Sequence, residues 1–330
     1  MNNTSYKAYI VEETEKDQFT GRVRDTQIKN LPQGDLLIRV HYSSLNYKDA
    51  LSATGNRGVT RNFPHTPGID AAGVVESSQD ERFSKGDAVI VTSYDLGMNT
   101  WGGFGQYIRV PADWAVPLPQ GLDLKESMIL GTAGFTAGMS VAKLTHTVKP
   151  GQGSILVTGA SGGVGSIAVA ILSHLGYAVT AVSGKTDTTL LNSLGARAVV
   201  SRKEFLENTK PPLLKPAWAG VIDTVGGDVL ATAIKATDLS GAVTCCGNVA
   251  SPDLPITVFP FILRGVSLLG VDSQHCPMNP RRKIWEKLSQ EWKFSMLDKI
   301  YDEVTLDGLG SKIELILQGG IAGRTLVNLN

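Results

Sequence analysis

The chain has 330 residues, 42% of them hydrophobic and 19% charged, with 36 glycines. That composition fits a soluble α/β protein of two domains and excludes a disordered or fibrous one. Lys plus Arg and Asp plus Glu balance at 31 each, so no global field attracts nucleic acid or an anionic membrane, and a polyanionic ligand has to be held locally.

The opening MNNTSYKAY carries no apolar run behind a basic region, so no secretory signal is read and a cytoplasmic location is expected. From Tyr6 to Pro119 short extended runs are cut by Gly, Pro and Asp: YKAYIVEE, DLLIRVHY, IDAAGVV, DAVIVTSY and GQYIRV. This texture has no helical period and predicts a small barrel or curled sheet.

From about Lys125 the pattern changes. SILVTG, AVTAVSG, ARAVVS, AGVIDTVG, GAVTCCG and VSLLGVDS are continuously apolar strand candidates, separated by helix-length segments such as SIAVAILSHLG and TTLLNSLG. Alternation of this kind predicts a parallel sheet covered on both faces, and six strands suit a doubly wound nucleotide-binding fold. The uncharged stretch Gly151 to Gly184 is long enough to be mistaken for a membrane span, but its glycines and the Pro150-Gly151 turn divide it into strand, helix and strand.

Within that stretch, VTGASGGVGS (157–166) runs from a strand through a glycine turn into a helix. The spacing Ala160-x-Gly162-x-x-Gly165 is the dinucleotide fingerprint with Ala in place of the first Gly. Gly162 permits close approach of a pyrophosphate, Gly165 permits close helix–strand packing, and the helix N-terminus offers free N–H groups. An NAD-selective site wants an acid at the end of the second strand. Here Ser183, Gly184 and Lys185 stand there, which suits the 2′-phosphate of NADPH, with NADH still possible because lysine is a point charge without the arginine fork. The other reading of Lys185 is an exposed lysine opening the next helix with Asp187 as its cap.

Cys245, Cys246 and Cys276 make no disulfide framework and read as buried small residues. After Asp272 comes a polar, Trp-bearing segment to Asp302, then KIELILQG and the strand-like close GRTLVNLN, which predicts that the chain returns to the first domain. The expected domains are therefore 1–124, 125–272 and a returning 273–330.

Taken with these features, SSLNYKD (43–49), PHTPGIDAAGVV (64–75), WGGFGQYIRVPADW (101–114) and GTAGFTAG (131–138) resemble the medium-chain dehydrogenase/reductase superfamily over essentially the whole chain. VTGASGGVGS, AVSGK, IDTVG, VFPFILRGVSLLGVDS and GRTLV are similar to its acrylyl-CoA reductase and quinone oxidoreductase branch. The resemblance implies a GroES-like first domain, a Rossmann domain with a parallel six-stranded sheet, an active site in the cleft between them, and homodimers joined through the last Rossmann strand near Val266 to Val271.

Zinc-dependent members hold the metal with Cys, a His-Glu pair and a second Cys or acid. Asn46 stands where the first Cys would be and Gly68-Ile69-Asp70 where Gly-His-Glu would be, while the five histidines show no paired ligand spacing, so no zinc is expected.

A metal-free reductase suits an already activated acceptor. The leading expectation is NADPH-dependent reduction of a small α,β-unsaturated acyl-CoA such as acrylyl-CoA. Quinone reduction and a non-catalytic redox sensor are the alternatives. Tyr47 is the candidate beside the nicotinamide, as proton donor or as stacked ring, with Asn46 able to polarise a carbonyl and Asp49 or Lys48 able to orient the loop. By resemblance, Ser161, Gly162, Gly163 and Val164 contact the phosphates, Ser183, Gly184 and Lys185 the 2′-phosphate, and Arg202 the adenosine side. Asn248, Ile262 and Ser273 are expected on strand-end loops near the nicotinamide, and Arg324 is expected to reach the cleft. Arg57, Arg61, Arg281 and Arg282 are rim candidates for the phosphates of coenzyme A, each also readable as plain surface.

Overall fold

A computed structural model of the protein describes residues 4–330. The chain forms two compact units: residues 4–132, 274–289 and 301–330 make the first, and 133–273 with 290–300 make the second.

The first unit opens with a hairpin of β1 (Ser5–Glu15) and β2 (Gln18–Gln27). It continues with β3 (Leu36–Leu45), β4 (Asp70–Ser78), β5 (Ala88–Thr92), β6 (Tyr107–Val110) and β7 (Ala115–Pro117), all paired antiparallel, with the short helix α1 (Tyr47–Ala53) directly after β3. Leu36, Ile38 and Val40 alternate along β3 and point one way, into a core shared with Val75, Val89, Val91, Phe104 and Ile108. The β-rich texture of the first 119 residues becomes this sheet.

The helical stretch α2 (Leu124–Thr147) is bent at Gly131, whose φ of 52° and ψ of −154° leave the helical region. The composition change near residue 124 marks the start of that helix, and the division between units falls after residue 132, where the backbone bends. Only glycine takes this conformation without strain, and a Cβ there would also stand 2.5 Å from Asp70 Oδ2.

In the second unit, β8 (Ile155–Val157), β9 (Val179–Ser183), β10 (Ala198–Ser201), β11 (Trp218–Asp223), β12 (Thr237–Cys245) and β13 (Ser267–Gly270) form a wholly parallel sheet in the order β10-β9-β8-β11-β12-β13. The order reverses between β8 and β11, the switch point at which such folds open a crevice for ligands. Helix α3 (Gly163–His174) follows β8, so the uncharged run 151–184 is indeed strand, helix and strand. Among the described residues no helix is long and apolar enough to cross a membrane. Leu156, Val182, Val221 and Val243 are buried on adjacent strands, which is why these segments are apolar without alternation.

The chain then returns. β14 (Tyr301–Thr305) and β15 (Arg324–Asn328) complete the first unit's sheet in the order β14-β15-β3-β4-β5-β7, with β6 also on β3. β15 pairs antiparallel with the end of β3, Thr325 opposite Leu45 and Leu326 opposite Ser44, which sets Arg324 beside the loop leading into α1. Residues 290–300 belong to the second unit, so the return of the C-terminal segment is interrupted by eleven residues from Gln290 to Ile300.

Candidate active site and dinucleotide cradle

Asp70, the first residue of β4, is completely buried in the first unit. An isolated carboxylate there would be costly, so its oxygens need partners. It accepts from Ser44 Oγ at 2.7 Å, Asn46 Nδ2 at 2.7 Å, Thr132 N at 2.9 Å and Thr132 Oγ1 at 2.6 Å. The guanidinium of Arg324, itself 4% exposed, stands 3.8 Å away and donates to Ser44 Oγ, Asn46 Oδ1, Leu45 O and Ile129 O.

Asn46 is the N-cap of α1, and its backbone N–H donates to Asp49 Oδ2 at 2.7 Å, one half of a capping box. Asp49 Oδ1 accepts from Ile69 N at 2.8 Å. Two carboxylates and one guanidinium thus share a site closed to water, one negative charge in excess. Burial, then the nearby Asp70 charge, push Asp49 up to about 7.

This network gathers three residues that the sequence singles out: Asn46, Asp49 and Arg324. The amide of Asn46 donates to Ser44 O, Asp49 and Asp70, and its oxygen accepts from Arg324, so it is bound into the protein on both ends. Arg324, expected at a cofactor, has all three guanidinium nitrogens on protein acceptors. Tyr47 is the member that faces outward, 38% exposed at the first position of α1. Lys48 donates to Gln274 Oε1 at 2.7 Å. Ser44, Asp70 and Thr132 as network partners were missed from sequence. The legible signal is Asp70 itself, a carboxylate inside the apolar run GIDAAGVV.

The second unit builds a separate site at the carboxyl ends of its strands. β8 ends in Thr158 and Gly159, and α3 begins at the N-cap Gly162, whose N–H donates to Gly159 O at 2.9 Å. A Cβ on Gly165 would collide with Gly159 O and stand 2.7 Å from Ala160 Cα, so helix and turn pack as closely as backbone allows. Ser183 Oγ, at the end of β9, donates to Ser161 Oγ at 3.1 Å and accepts from Lys185 N at 3.0 Å, joining the second strand's end to the glycine loop.

Arg202 follows β10, and its guanidinium lies across Gly184, where a Cβ would come within 2.5 Å of Nη2. Two cations therefore flank the residue after β9. Asp187 Oδ1 accepts from Thr189 N at 2.9 Å at the start of the next helix, so its charge is spent on that turn. Buried Asp223, ending β11, accepts from Thr158 Oγ1 at 2.6 Å and from Gly226 N at 2.9 Å.

Asn248 and Ser273 lie on the loops after β12 and β13, as expected. Ile262 instead sits on the helix Phe259–Arg264 and is 67% exposed; the Pro at its N-terminus starts a helical turn where a loop was expected. Arg281 is also misplaced by sequence. It is completely buried, with its guanidinium over the Tyr94 ring, and is no rim residue. Arg57 pairs with Glu13 and lies over Phe19 and Phe63.

The glycine turn, the open helix N-terminus and the Ser183–Arg202 corner fit a phosphorylated dinucleotide. The first unit's network does not fit zinc: its donors are an amide, hydroxyls and two carboxylates already accepting protein N–H and O–H groups, without the sulfur or imidazole that tetrahedral zinc favours. Among the described residues no three His, Cys, Asp or Glu side chains cluster to hold a metal ion.

A curled sheet with a returning C-terminus, joined in one chain to a parallel six-stranded sheet with this loop, defines an NAD(P)H-dependent oxidoreductase. Residues 32–120 match the alcohol dehydrogenase GroES-like domain and residues 163–291 match the zinc-binding dehydrogenase family. The chain belongs to the medium-chain dehydrogenase/reductase superfamily.

Within it, the acrylyl-CoA reductase AcuI of Ruegeria pomeroyi is 43% identical over 98% of this chain and 99% of its own length. The crystal structure of Escherichia coli K-12 YhdH with bound NADPH has a TM-score of 0.94 at 46% identity, covering 98% of this chain and 100% of that one. Bacillus subtilis YhfP, solved with NAD bound, has a TM-score of 0.96 at 44% identity, covering 99% and 100%, and carries a provisional quinone oxidoreductase name.

Because the fold raises Asp49 above its unfolded range, the native state holds a proton there that the unfolded chain releases. That contribution to stability is complete below about pH 4 and is lost as pH rises through about 7. Urea unfolding of wild type and Asp49→Asn across this range is expected to show the difference between them changing in favour of the variant as pH rises. A difference that stays flat contradicts a proton on Asp49.

Proposed function

We propose that the protein uses NADPH to reduce the carbon–carbon double bond of a small α,β-unsaturated acyl-CoA such as acrylyl-CoA. The observation that carries this reading is the pairing of a buried, metal-unsuited polar network behind Tyr47 with end-to-end likeness to an acrylyl-CoA reductase. Such a site has hydrogen-bond donors but no strong electrophile, which suits an acceptor activated by its own carbonyl.

NADPH, when bound, supplies the hydride, which the β-carbon of the enoyl thioester receives. Electron density then moves to the thioester oxygen, and the α-carbon takes a proton, giving the saturated acyl-CoA. Tyr47 is the group we assign to that proton or to a hydrogen bond on the oxygen. Asn46, Asp49, Asp70 and Arg324 hold the start of α1 and so aim Tyr47; they are positioning residues. Ser161, Gly162, Gly163 and Val164 are proposed to hold the pyrophosphate, Ser183, Gly184, Lys185 and Arg202 the 2′-phosphate, and Asn248 and Ser273 the nicotinamide side.

Quinone reduction stands as the second reading, favoured by the provisional name of the Bacillus relative. Following NADPH oxidation with acrylyl-CoA, crotonyl-CoA and a benzoquinone side by side decides between them. Turnover of acrylyl-CoA is expected, with kcat falling more than tenfold in Tyr47→Phe if the phenol delivers the proton. Turnover of the quinone alone would displace the leading reading.

The preference for NADPH rests on Arg202 and Lys185 around Gly184. Charge-assisted hydrogen bonds contribute roughly 1.5 to 3 kcal/mol, or about one to two decades of affinity. Arg202→Ala is expected to raise KM for NADPH by about tenfold and to spare NADH, with Lys185→Ala acting in the same direction. An unchanged ratio of the two KM values refutes this assignment.

The partner we propose for the second unit is a second copy of this chain. β13 is an edge strand paired only with β12, and Val258, Phe259, Ile262, Leu263 and Leu268 are exposed on or just before it. Unpaired edges and apolar patches of this kind are usually covered. Light scattering of wild type is expected to report two chains and Leu268→Lys with Ile262→Glu one; a single chain for wild type removes the proposal.

A further inference from the structure

The first unit also contains a cavity of about 340 Å³ lined by Arg82, Tyr94, Asp113, Trp114, Met278 and Arg282, among others. We propose that this pocket binds the phosphorylated adenosine end of the acyl-CoA substrate, with the purine against the Tyr94–Trp114 wall and the phosphate between Arg82 and Arg282. The proposal rests on the acyl-CoA reading above and supplies what that reading lacks, a place for the substrate's nucleotide.

The wall is unusually well fixed. The Tyr94 and Trp114 rings are stacked with centroids 5.6 Å apart and planes 8° from parallel. Arg281 holds its guanidinium 4.2 Å from the Tyr94 centroid and donates to Thr92 O at 2.9 Å, Gln274 O at 3.2 Å and Cys276 O at 3.3 Å. Tyr94 itself donates through its hydroxyl to Cys276 O and through its N–H to Gln274 O, both at 3.3 Å. Burying a guanidinium to brace a partly exposed aromatic ring is an expensive arrangement for plain surface.

The backbone points the same way. Ser93 and Tyr94 are consecutive non-glycine residues with φ of 64° and 51°, in the left-handed region. Such residues persist only where their surroundings over-determine them, and they gather at ligand sites. Here they turn the chain at the end of β5 so that the Tyr94 ring meets Trp114.

The charges suit a phosphate. The lining holds two guanidiniums, Arg82 and Arg282, and one carboxylate, Asp113, while Asp80 pairs with Arg82 from outside the lining. Arg82 pairs with Asp80 at 2.8 Å and with Asp113 at 2.7 Å, and the Asp113 side chain is 80% exposed, so it can yield its place to an arriving phosphate at little structural cost. A flat base and an anion together are what stacked aromatics and arginine forks recognise, and free phosphate would make no use of the rings. The dinucleotide's own adenosine is not the occupant we assign, because the second unit has the Ser183–Arg202 corner for it.

The pocket wall is also bonded to the reactive loop. Lys48, next to Tyr47, donates to Gln274 Oε1, and Gln274 O accepts from Tyr94 N. Ser93 Oγ lies 2.9 Å from Thr132 Oγ1, which donates to Asp70. These bonds join the pocket wall to the residue next to Tyr47.

The test compares wild type and Arg282→Glu on acrylyl-CoA, on its 3′-dephospho form and on the N-acetylcysteamine thioester of acrylic acid, which has no nucleotide. In wild type, removing the 3′-phosphate is expected to raise KM about tenfold. Arg282→Glu should raise KM for acrylyl-CoA by a similar factor and add little to the loss already caused by dephosphorylation, as expected of groups that touch. On the truncated thioester, kcat/KM for the variant should stay within about twofold of wild type, and Trp114→Phe should raise KM for acrylyl-CoA and its 3′-dephospho form alike while sparing the truncated thioester. Equal losses on all three thioesters, or none on any, overturn the pocket while leaving the reductase intact. Failure of wild type to reduce any thioester overturns the acyl-CoA reading first.

Discussion

The first unit depends on one buried carboxylate, Asp70. It cannot stay in the core without partners, and these come from three separate stretches of chain: Ser44 and Asn46 between β3 and α1, Thr132 after the bend at Gly131, and Arg324 at the start of the returning strand β15, whose guanidinium stands 3.8 Å away and donates to Ser44 Oγ. Satisfying one group therefore ties strand, helix start, bend and C-terminus to one point. A buried charge of this kind is a poor source of net stability, since hydrophobic replacements often do as well, but removing a single partner is severe. Its value lies in geometry: each bond has one good arrangement, and Tyr47 is carried by the residue that the arrangement holds.

The same economy accounts for Asn46. A cysteine at this position would offer a soft metal donor. The amide offers both a donor and an acceptor, and here it spans the Asp49 and Asp70 carboxyls and the Arg324 guanidinium. The excess negative charge is relieved at Asp49, which burial and the Asp70 charge push up to about 7. Polar side chains bridging in this way occupy the space and the lone pairs that a metal would need.

In the second unit the physical logic is different, and much more of it is local. The turn after β8 works because Gly159 takes a positive φ against the Thr224 side chain, because Gly162 and Gly165 remove side chains where backbone must approach backbone, and because the start of α3 offers N–H groups there. The Ser183–Gly184–Lys185 corner gains its second cation from Arg202, whose guanidinium lies over Gly184. Through that contact a chain with lysine at this corner still presents a planar fork beside it, since the fork comes from the end of the neighbouring strand β10.

What this sequence determined alone was whatever depends on short range and on periodicity. The extended runs before Pro119, the continuously apolar strands after Lys125 and the glycine spacing of 157–166 each report their own burial or backbone need, so the β-rich first part, the parallel six-stranded sheet and the strand–turn–helix at the glycine loop were legible. Arg281 and Ile262 show the limit, because nothing near an arginine in sequence tells whether Thr92 and Tyr94 will enclose it, and the exposure of a helix depends on what packs against it. The tertiary structure alone decided that Asn46, Asp70 and Arg324 share one site, and that Tyr94 and Trp114 form a wall. These residues are separated by up to 278 positions along the chain. They are joined by hydrogen bonds and ring contacts that exist only once strand pairing has closed the intervening loops.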